Sequence, residues 1–378
     1  MGNDLNIHLY FSHIENESRI FKITSTLSNN RIFDKIHIIG VGRETLPENE
    51  LYNENIIIRR FLKNKTSNII SKLFSMIKWG ILIIKRYKKE KITCVNCHSL
   101  AVLWVGVILK KVSKTILIYD THELETEKNN YAPIQKIFAK IMEKALMKYV
   151  DHVFVVSDMI NKVYQKRYPQ KEITTIFNAP KYAVVKSTNY FRNKFGIKSD
   201  TVIFIYQGMF GAGRGIDLML SYFKNIGSKH AIIFMGYGIL EEKIKLASKQ
   251  YKNIYYHPPV KPDFVLNFTA SADVGLSIIE GTCLSYSYCL PNKLFEYIIS
   301  GLPVIVSNMV EMANFVKINE VGCIMGNADI QSFDQTVNTL LAYGLDKFRE
   351  NAFKTAKSCC WDNQIEKLIS VYNKILSV

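Results

Sequence analysis

Apolar runs of strand length alternate with helix-period segments along most of the chain, in two separate stretches. In the first stretch, runs at 7–11, 35–41, 55–59, 93–97, 115–119, 152–157 and 173–177 read as strands. Between them, apolar residues recur at helical spacing over 18–28, 67–87, 101–110, 134–148 and 157–168, the last with Ser157 as N-cap. This rhythm leaves little choice of architecture. Each helix carries the chain back to a parallel strand, so the sheet is open and helices cover both faces. Residues 178–200 mix Pro, Lys, Asn and Ser without a long apolar run, as a linker does. The rhythm resumes with strands at 201–207, 231–235, 254–257, 274–278, 304–307 and 322–325, and helices at 216–226, 240–250, 261–270, 294–300 and 329–342. The expected fold class is α/β, with two doubly wound domains at 1–185 and 186–360. A last helix over 361–378 is expected to pack back on the first domain. With 378 residues and 48% apolar side chains, there is material for two cores.

Charge separates the halves. Residues 1–200 hold 33 basic and 18 acidic side chains, whereas 201–378 hold 16 and 15. A compositional bias toward Lys would act on both halves. The excess therefore points to an anionic partner for the first half: a membrane surface, a nucleic acid or an acidic substrate. The segment 69–91 sharpens the membrane reading, because it sets Ile, Leu and Phe among seven basic residues. It reads either as a core helix with a basic end or as a surface helix dipping into anionic lipid, with Trp79 at the boundary. The chain opens without a basic, apolar leader, and no window reaches ~18 uninterrupted apolar residues. A cytoplasmic protein with reduced thiols is expected, and seven Cys are too few for a disulfide scaffold. Cys94 and Cys97 fall in a strand-like run rather than at a helix start, which favours buried thiols over redox or metal chemistry. Trp361 is expected to anchor the last helix by burial.

Ligands of open α/β sheets bind at the carboxyl ends of strands. Three segments of the second half lie there. The first, Gln207-Gly208-Met209-Phe210-Gly211-Ala212-Gly213-Arg214-Gly215, puts four glycines in eight residues. Backbone N–H groups there can approach a ligand closely, and Arg214 can fork onto a phosphate. Its spacing is neither a dinucleotide fingerprint nor a Walker loop. The second is Gly236-Tyr237-Gly238. The third runs Pro291-Asn292-Lys293-Leu294-Phe295-Glu296-Tyr297 and closes with Gly301-Leu302-Pro303-Val304. A helix starting after Pro291 would offer the amides of Lys293, Leu294 and Phe295 to a diphosphate. Glu296, expected in the same first turn, can take two hydrogen bonds from a vicinal diol such as a ribose. A bare helix-dipole role is its plainer alternative.

This third segment resembles the signature of family-4 glycosyltransferases. The glycine loop with Arg214, the pair Gly236/Gly238 and Ser271-Ala272-Asp273-Val274 are similar to further segments of that family. So, more modestly, are Ser18-Arg19-Ile20, Asp120-Thr121-His122-Glu123, Val155-Val156-Ser157 and Asn178-Ala179-Pro180 in the first half. The resemblance implies a GT-B fold, two Rossmann-like domains facing a cleft. It also implies a retaining, metal-independent transferase with no cofactor, using a nucleotide-diphosphate sugar as donor. By position, Arg214 and Lys293 would neutralise the diphosphate, and His122 would hydrogen-bond the sugar or the leaving phosphate. Gly208, Gly213, Gly215, Gly236, Gly238, Asn292, Leu294, Phe295 and Glu296 would hold the donor. Glu123 and Glu280 would lie on the acceptor or sugar side; His98, at a strand-to-helix junction, reads either as facing the acceptor or as a structural histidine. Two departures stand out: Tyr288 occupies the place of the family's first glutamate, and Met209 that of a basic residue in the glycine loop. Together with the basic first half, the resemblance points to a lipid-linked saccharide acceptor and to peripheral attachment at the inner membrane face. The product would be a surface polysaccharide such as capsule or lipopolysaccharide. A nucleotide-sugar epimerase is the rival enzyme. A nucleic-acid-binding protein is the rival non-enzyme, although no interleaved aromatic and basic motif supports nucleic acid as a partner.

Overall fold

A computed structural model describes residues 4–63, 69–129 and 131–377. The chain forms two compact units, one of residues 1–176 with 365–378 and the other of residues 177–364. The first unit thus ends before residue 185. The last residue of its first segment, Ile176, is held by its carbonyl, which accepts from Arg19 Nη1 at 2.6 Å.

In the first unit the elements are β1 (Leu5–Leu9), α1 (Ser18–Asn29), β2 (Lys35–Gly42), β3 (Asn49–Leu51), β4 (Ile56–Lys63), α2 (Ile69–Tyr87), β5 (Ile92–Cys97), α3 (Leu100–Ser113), β6 (Ile116–Asp120), α4 (Pro133–Met147), β7 (His152–Val155), α5 (Asp158–Arg167) and β8 (Glu172–Thr175). The strand order is β3-β4-β2-β1-β5-β6-β7-β8, parallel throughout except for β3, which runs antiparallel to β4. The sequence pattern does not predict β3, because Asn49-Glu50-Leu51 carries no apolar run. Strand order reverses between β1 and β5, the position where such sheets open a crevice.

Trp79 does not reach a surface. It is fully buried on the inner side of α2 with Ile83 and Tyr87, and its Nε1–H donates to the Gly40 carbonyl at 2.9 Å. The opposite side of α2 leaves Leu73, Phe74, Ile77, Ile81 and Leu82 exposed. Positions 67 and 68 of the predicted helix lie outside the described residues. Among the described residues, no helix is long and apolar enough to cross a membrane.

The second unit continues with α6 (Tyr190–Phe195), β9 (Val202–Met209), α7 (Ile216–Asn225), β10 (His230–Tyr237), α8 (Glu241–Gln250), β11 (Ile254–His257), α9 (Val265–Thr269), β12 (Val274–Ser277), α10 (Leu284–Ser287), α11 (Asn292–Ile299), β13 (Val304–Ser307), α12 (Val310–Asn319), β14 (Gly322–Met325), α13 (Ile330–Tyr343) and α14 (Leu345–Cys359). Its sheet is wholly parallel, in the order β11-β10-β9-β12-β13-β14, and reverses between β9 and β12. Two apolar cores fill it. One packs β9 and β13 side chains such as Ile205 and Val306 on α11, and the other packs Phe204 and Ile305 on α7 and α13. The sequence reading omits α6, which falls in the stretch read as a linker, and also α10, α12 and α14.

Trp361 is fully buried, and its N–H donates to the Pro180 carbonyl at 2.7 Å. The chain then enters α15 (Asp362–Leu376), whose later residues belong to the first unit. There Tyr372 is buried edge-on to Phe33, and its hydroxyl donates to Asn96 Oδ1 at 2.5 Å.

Candidate functional site

The candidate residues form two groups, one in each unit. In the second unit the group grows out of the β9–β12 reversal. These strands pair only at Val274 with Phe204 and Gly275 with Ile205, and then part. The buried Tyr297 of α11 spans the opening: its hydroxyl accepts from Gln207 N–H and donates to the Leu276 carbonyl, both at 3.1 Å. The ring can lie there because residue 275 is glycine, where a Cβ would fall 2.4 Å from the Tyr297 ring. Gly275 therefore places α11, a role invisible in the sequence.

Gln207, at the end of β9, connects the parts. Its Nε2 donates to Glu296 Oε2 at 2.5 Å, and its Oε1 accepts from Thr269 Oγ1 at 2.7 Å. The Glu296 carboxylate is thus aimed at the carboxyl end of β9. Glu296 is the fifth residue of α11, just past the first turn expected for it. The expected set of free amides also narrows, because Leu294 N–H is already bonded to the Pro291 carbonyl at 3.0 Å. Among the described residues no side chain caps α11, and Asn292 and Lys293 open it half-buried. The Leu294 and Phe295 side chains are core.

Gly208, Gly213 and Gly215 take positive φ of 111°, 75° and 67°. Gly236, at the end of β10, runs so close to β9 that a Cβ there would sit 1.9 Å from the Gly208 carbonyl oxygen. A Cβ on Gly238 would likewise fall 2.5 Å from the Phe210 carbonyl oxygen, so the two glycine loops lock together. Glu280, just after β12, donates its N–H to the Gly213 carbonyl at 3.0 Å, tying its loop to the first glycine loop. Two cations flank these loops, each over an aromatic ring. Lys293 Nζ lies 3.5 Å from the Tyr206 ring centroid, and Arg214 Cζ lies 4.9 Å from that of Tyr286. Burial and the Arg214 guanidinium push the Lys293 ammonium well below its ordinary pKa range, and Glu296 offsets this only in part. Such a group gains most from an incoming anion.

In the first unit the group gathers at the β1–β5 reversal. Asp120, buried at the end of β6, takes the Arg19 guanidinium on both oxygens at 2.6–3.0 Å. His98 Nδ1 lies 2.9 Å from Asp120 Oδ2, and His122 Nε2 lies 3.4 Å from it. Burial alone would raise the Asp120 carboxyl. Arg19 and the hydrogen bonds from His122 and His98 outweigh that and hold it well below the carboxylate range. An ionised Asp120 fixes the proton on His98 Nδ1. His98 Nε2 must then accept, and His8 Nδ1 supplies that bond at 2.8 Å. The far nitrogen of His8 meets Asn96 Nδ2 at 3.4 Å, and Asn96 in turn accepts from Tyr372. Burial lowers His98 to about 4 and His8 well below its ordinary value, which favours the neutral form of each ring.

His98 is fully buried with both nitrogens engaged, so it holds Asp120 and His122 in place and does not itself face an acceptor. His122 is the partly exposed member. Glu123 lies partly exposed beside Lys128, 3.3 Å away. His98, Asp120 and His122 are close enough to hold an ion. However, Arg19 already occupies the carboxylate, so the chemistry of the set is that of a hydrogen-bond chain. Cys94 and Cys97 are buried in β5, and burial raises both thiols.

The comparisons with known proteins divide along the chain in the same way. Residues 34–179 match Glycosyltransferase Family 4, and residues 201–343 match Glycosyl transferases group 1. No curated protein matches the chain by sequence. Sucrose-phosphate synthase from Thermosynechococcus elongatus superposes with a TM-score of 0.82 at 14% identity, over 100% of both chains. HepE from Anabaena, solved with UDP and glucose, gives 0.74 at 11% identity over 98% of this chain and 100% of its own. WaaG, a glycosyltransferase involved in lipopolysaccharide biosynthesis, gives 0.68 at 14% identity over 97% and 99%. These structures share the fold, and the family matches cover both halves: the chain belongs to the family-4 glycosyltransferases of GT-B fold and is a glycosyltransferase.

Proposed function

We propose that this enzyme moves a sugar from a nucleotide-diphosphate donor to a lipid-linked saccharide, with retention and without a metal or cofactor, in building a surface polysaccharide such as capsule or lipopolysaccharide. The second unit takes the donor and the first the acceptor, at the cytoplasmic face of the membrane.

One observation carries the donor assignment: two cations rest on aromatic rings beside the glycine loops, while the nearby Glu296 is aimed by Gln207. Lys293 and Arg214 neutralise charge gathering on the departing diphosphate, the work a divalent ion does elsewhere. The first turn of α11 adds the N–H groups of Asn292 and Lys293. Gly208, Gly213, Gly215, Gly236 and Gly238 let the backbone approach the donor, and Glu296 accepts from the ribose hydroxyls. In the first unit His122, with Nε2–H directed to Asp120, presents Nδ1 to a sugar hydroxyl and Glu123 follows it in sequence; in the second unit Glu280 is tied to the first glycine loop and offers a carboxylate to the donor sugar. HepE was solved with UDP-glucose, so a uridine diphosphate sugar is the first donor to try.

A panel of nucleotide sugars read by thermal shift tests this. A donor at 100 times its Kd stabilises by about 2.7 kcal/mol. Glu296→Ala is expected to abolish the shift while leaving the fold intact; a full shift in that variant refutes the ribose role. NMR of the product reads retention against inversion, and a sugar epimerised on the nucleotide would identify an epimerase. Activity is expected to survive exhaustive chelation.

A further inference from the structure

Helix α4 turns its apolar stripe outward. Ile134, Ile137, Phe138 and Ile141 recur at i, i+3, i+4 and i+7, the pattern of a core-facing helix, yet they are 54–72% exposed. The buried side of α4 is instead Ala139, Glu143 and Met147. Three tyrosine hydroxyls fix that side, since Glu143 accepts from Tyr119, Tyr164 and Tyr168 at 3.3, 2.5 and 3.0 Å. The helix cannot roll its stripe inward without breaking this cluster.

Helix α3 packs against both α4 and α2, and α2 also turns apolar residues outward, including Phe74. The charge on the three helices has one sign. Lys72, Lys78, Lys85, Arg86, Lys110, Lys111, Lys136, Lys140 and Lys144 face a single acid, the buried Glu143. Some of these cations have partners outside the three helices: Lys140 meets Glu127 at 2.5 Å and Arg86 meets Glu90 at 2.6 Å. Lys78, Lys85 and Lys144 have no acidic partner within 4 Å among the described residues.

Exposed Ile and Phe bordered by lysines, with no exposed acid on the three helices themselves, complement an anionic lipid surface. A second copy fits poorly, because a symmetric pairing would bring the lysine borders against each other. We propose that the α4 stripe, together with the outward side of α2, is the surface on which this enzyme rests against an anionic bilayer. This rests on the membrane part of the function proposed above and specifies where contact is made.

The test is co-sedimentation of the full chain with vesicles of phosphatidylcholine alone and of phosphatidylcholine mixed with phosphatidylglycerol. The wild-type chain is expected to bind the mixed vesicles. Phe138→Ser with Ile141→Ser is expected to lower partitioning by tenfold or more, with melting temperature and nucleotide-sugar shift unchanged. Lys78→Gln with Lys144→Gln is expected to cost about fivefold per lysine at low salt. If the wild type binds and the serine variant binds equally well, the surface is wrong and the membrane reading stands. If the wild type ignores the mixed vesicles, both fall, while the donor assignment is untouched. A wild-type dimer that the serine variant splits into monomers would assign the stripe to a second copy and overturn the proposal.

Discussion

In the first unit Asp120 is met by Arg19, His98 and His122, whereas in the second Lys293 and Arg214 each lie over an aromatic ring. Both arrangements take charge out of water, but to different ends. Ion pairing satisfies a charge and leaves little field for a ligand. A ring face desolvates a cation and steadies it, and leaves its charge to act on an arriving anion. The first arrangement is framework, and the second is readiness for a diphosphate. Substitutions should separate them.

The largest effect is expected from Asp120→Ala, which strands Arg19 with its charge buried and removes the acceptor of His98. Losing one partner of a buried pair costs about 3–5 kcal/mol. A denaturant titration should show the loss directly. Lys293→Met, by contrast, removes a desolvated amino group from above a ring, so its unliganded stability should match or exceed the wild type while the donor-induced shift disappears. The contrast fails if the Lys293 variant unfolds as readily as the Asp120 variant.

Next comes Gly275→Ala. The new methyl carbon falls on the Tyr297 ring, and overpacking of this kind costs about 1–3 kcal/mol. The ring can only yield by moving α11, which carries Lys293 and Glu296, so donor affinity should fall along with stability. Tyr297→Phe keeps the ring and orphans Gln207 N–H and the Leu276 carbonyl, costing about 1–3 kcal/mol with α11 nearly in place. Equal donor binding by Gly275→Ala and wild type would show that the ring does not set the helix.

A third effect follows from acid. His98 is pushed down to about 4, against an unfolded value of about 6.5. Below about 6.5 the unfolded chain binds a proton that the native chain refuses, so stability is present above that pH and drains away toward 4. The slope is roughly 1.4 kcal/mol per pH unit per histidine. His37 and His152, also lowered to about 4, share this limb, so His98→Gln should flatten it only in part. Asp120 acts in the other window: its depressed carboxyl stabilises above about 3.9 and fails only in stronger acid. A midpoint insensitive to pH between 6 and 4 would mean that the buried rings are protonated in the native state.

The alternation of strand and helix patterns was enough to read the parallel strands of both sheets, though not the antiparallel edge strand β3, because parallel crossovers need that rhythm and apolar runs reveal it. The Pro291–Tyr297 segment and the glycine loops were legible because helix starts and tight turns demand particular residues. Gly275 was not legible: a glycine in a strand says nothing about which ring lies on it. Nor was the histidine chain, since His8, His98 and His122 meet only through strand order. Trp79 misled for a related reason. An aromatic between apolar and basic residues suits a lipid boundary or a core equally, and a bond to Gly40 decided for the core. The α4 stripe was hidden because periodicity gives the existence of an apolar face and not its direction.

The finest test of the contrast is a count of protons. Lys293 sits well below its ordinary pKa when no anion is near. A diphosphate placed against it favours the charged form and lifts the value back, so donor binding takes up a proton at any pH between the two values. Across that window affinity must fall as pH rises, by at most tenfold per unit. Calorimetry of donor binding in two buffers of different ionisation enthalpy measures the uptake. A fraction of one proton is expected in the wild type and none in Lys293→Met. Wild type and variant with the same uptake would show that Lys293 is already charged on its ring, and that the second unit holds its cation much as the first holds its carboxylate.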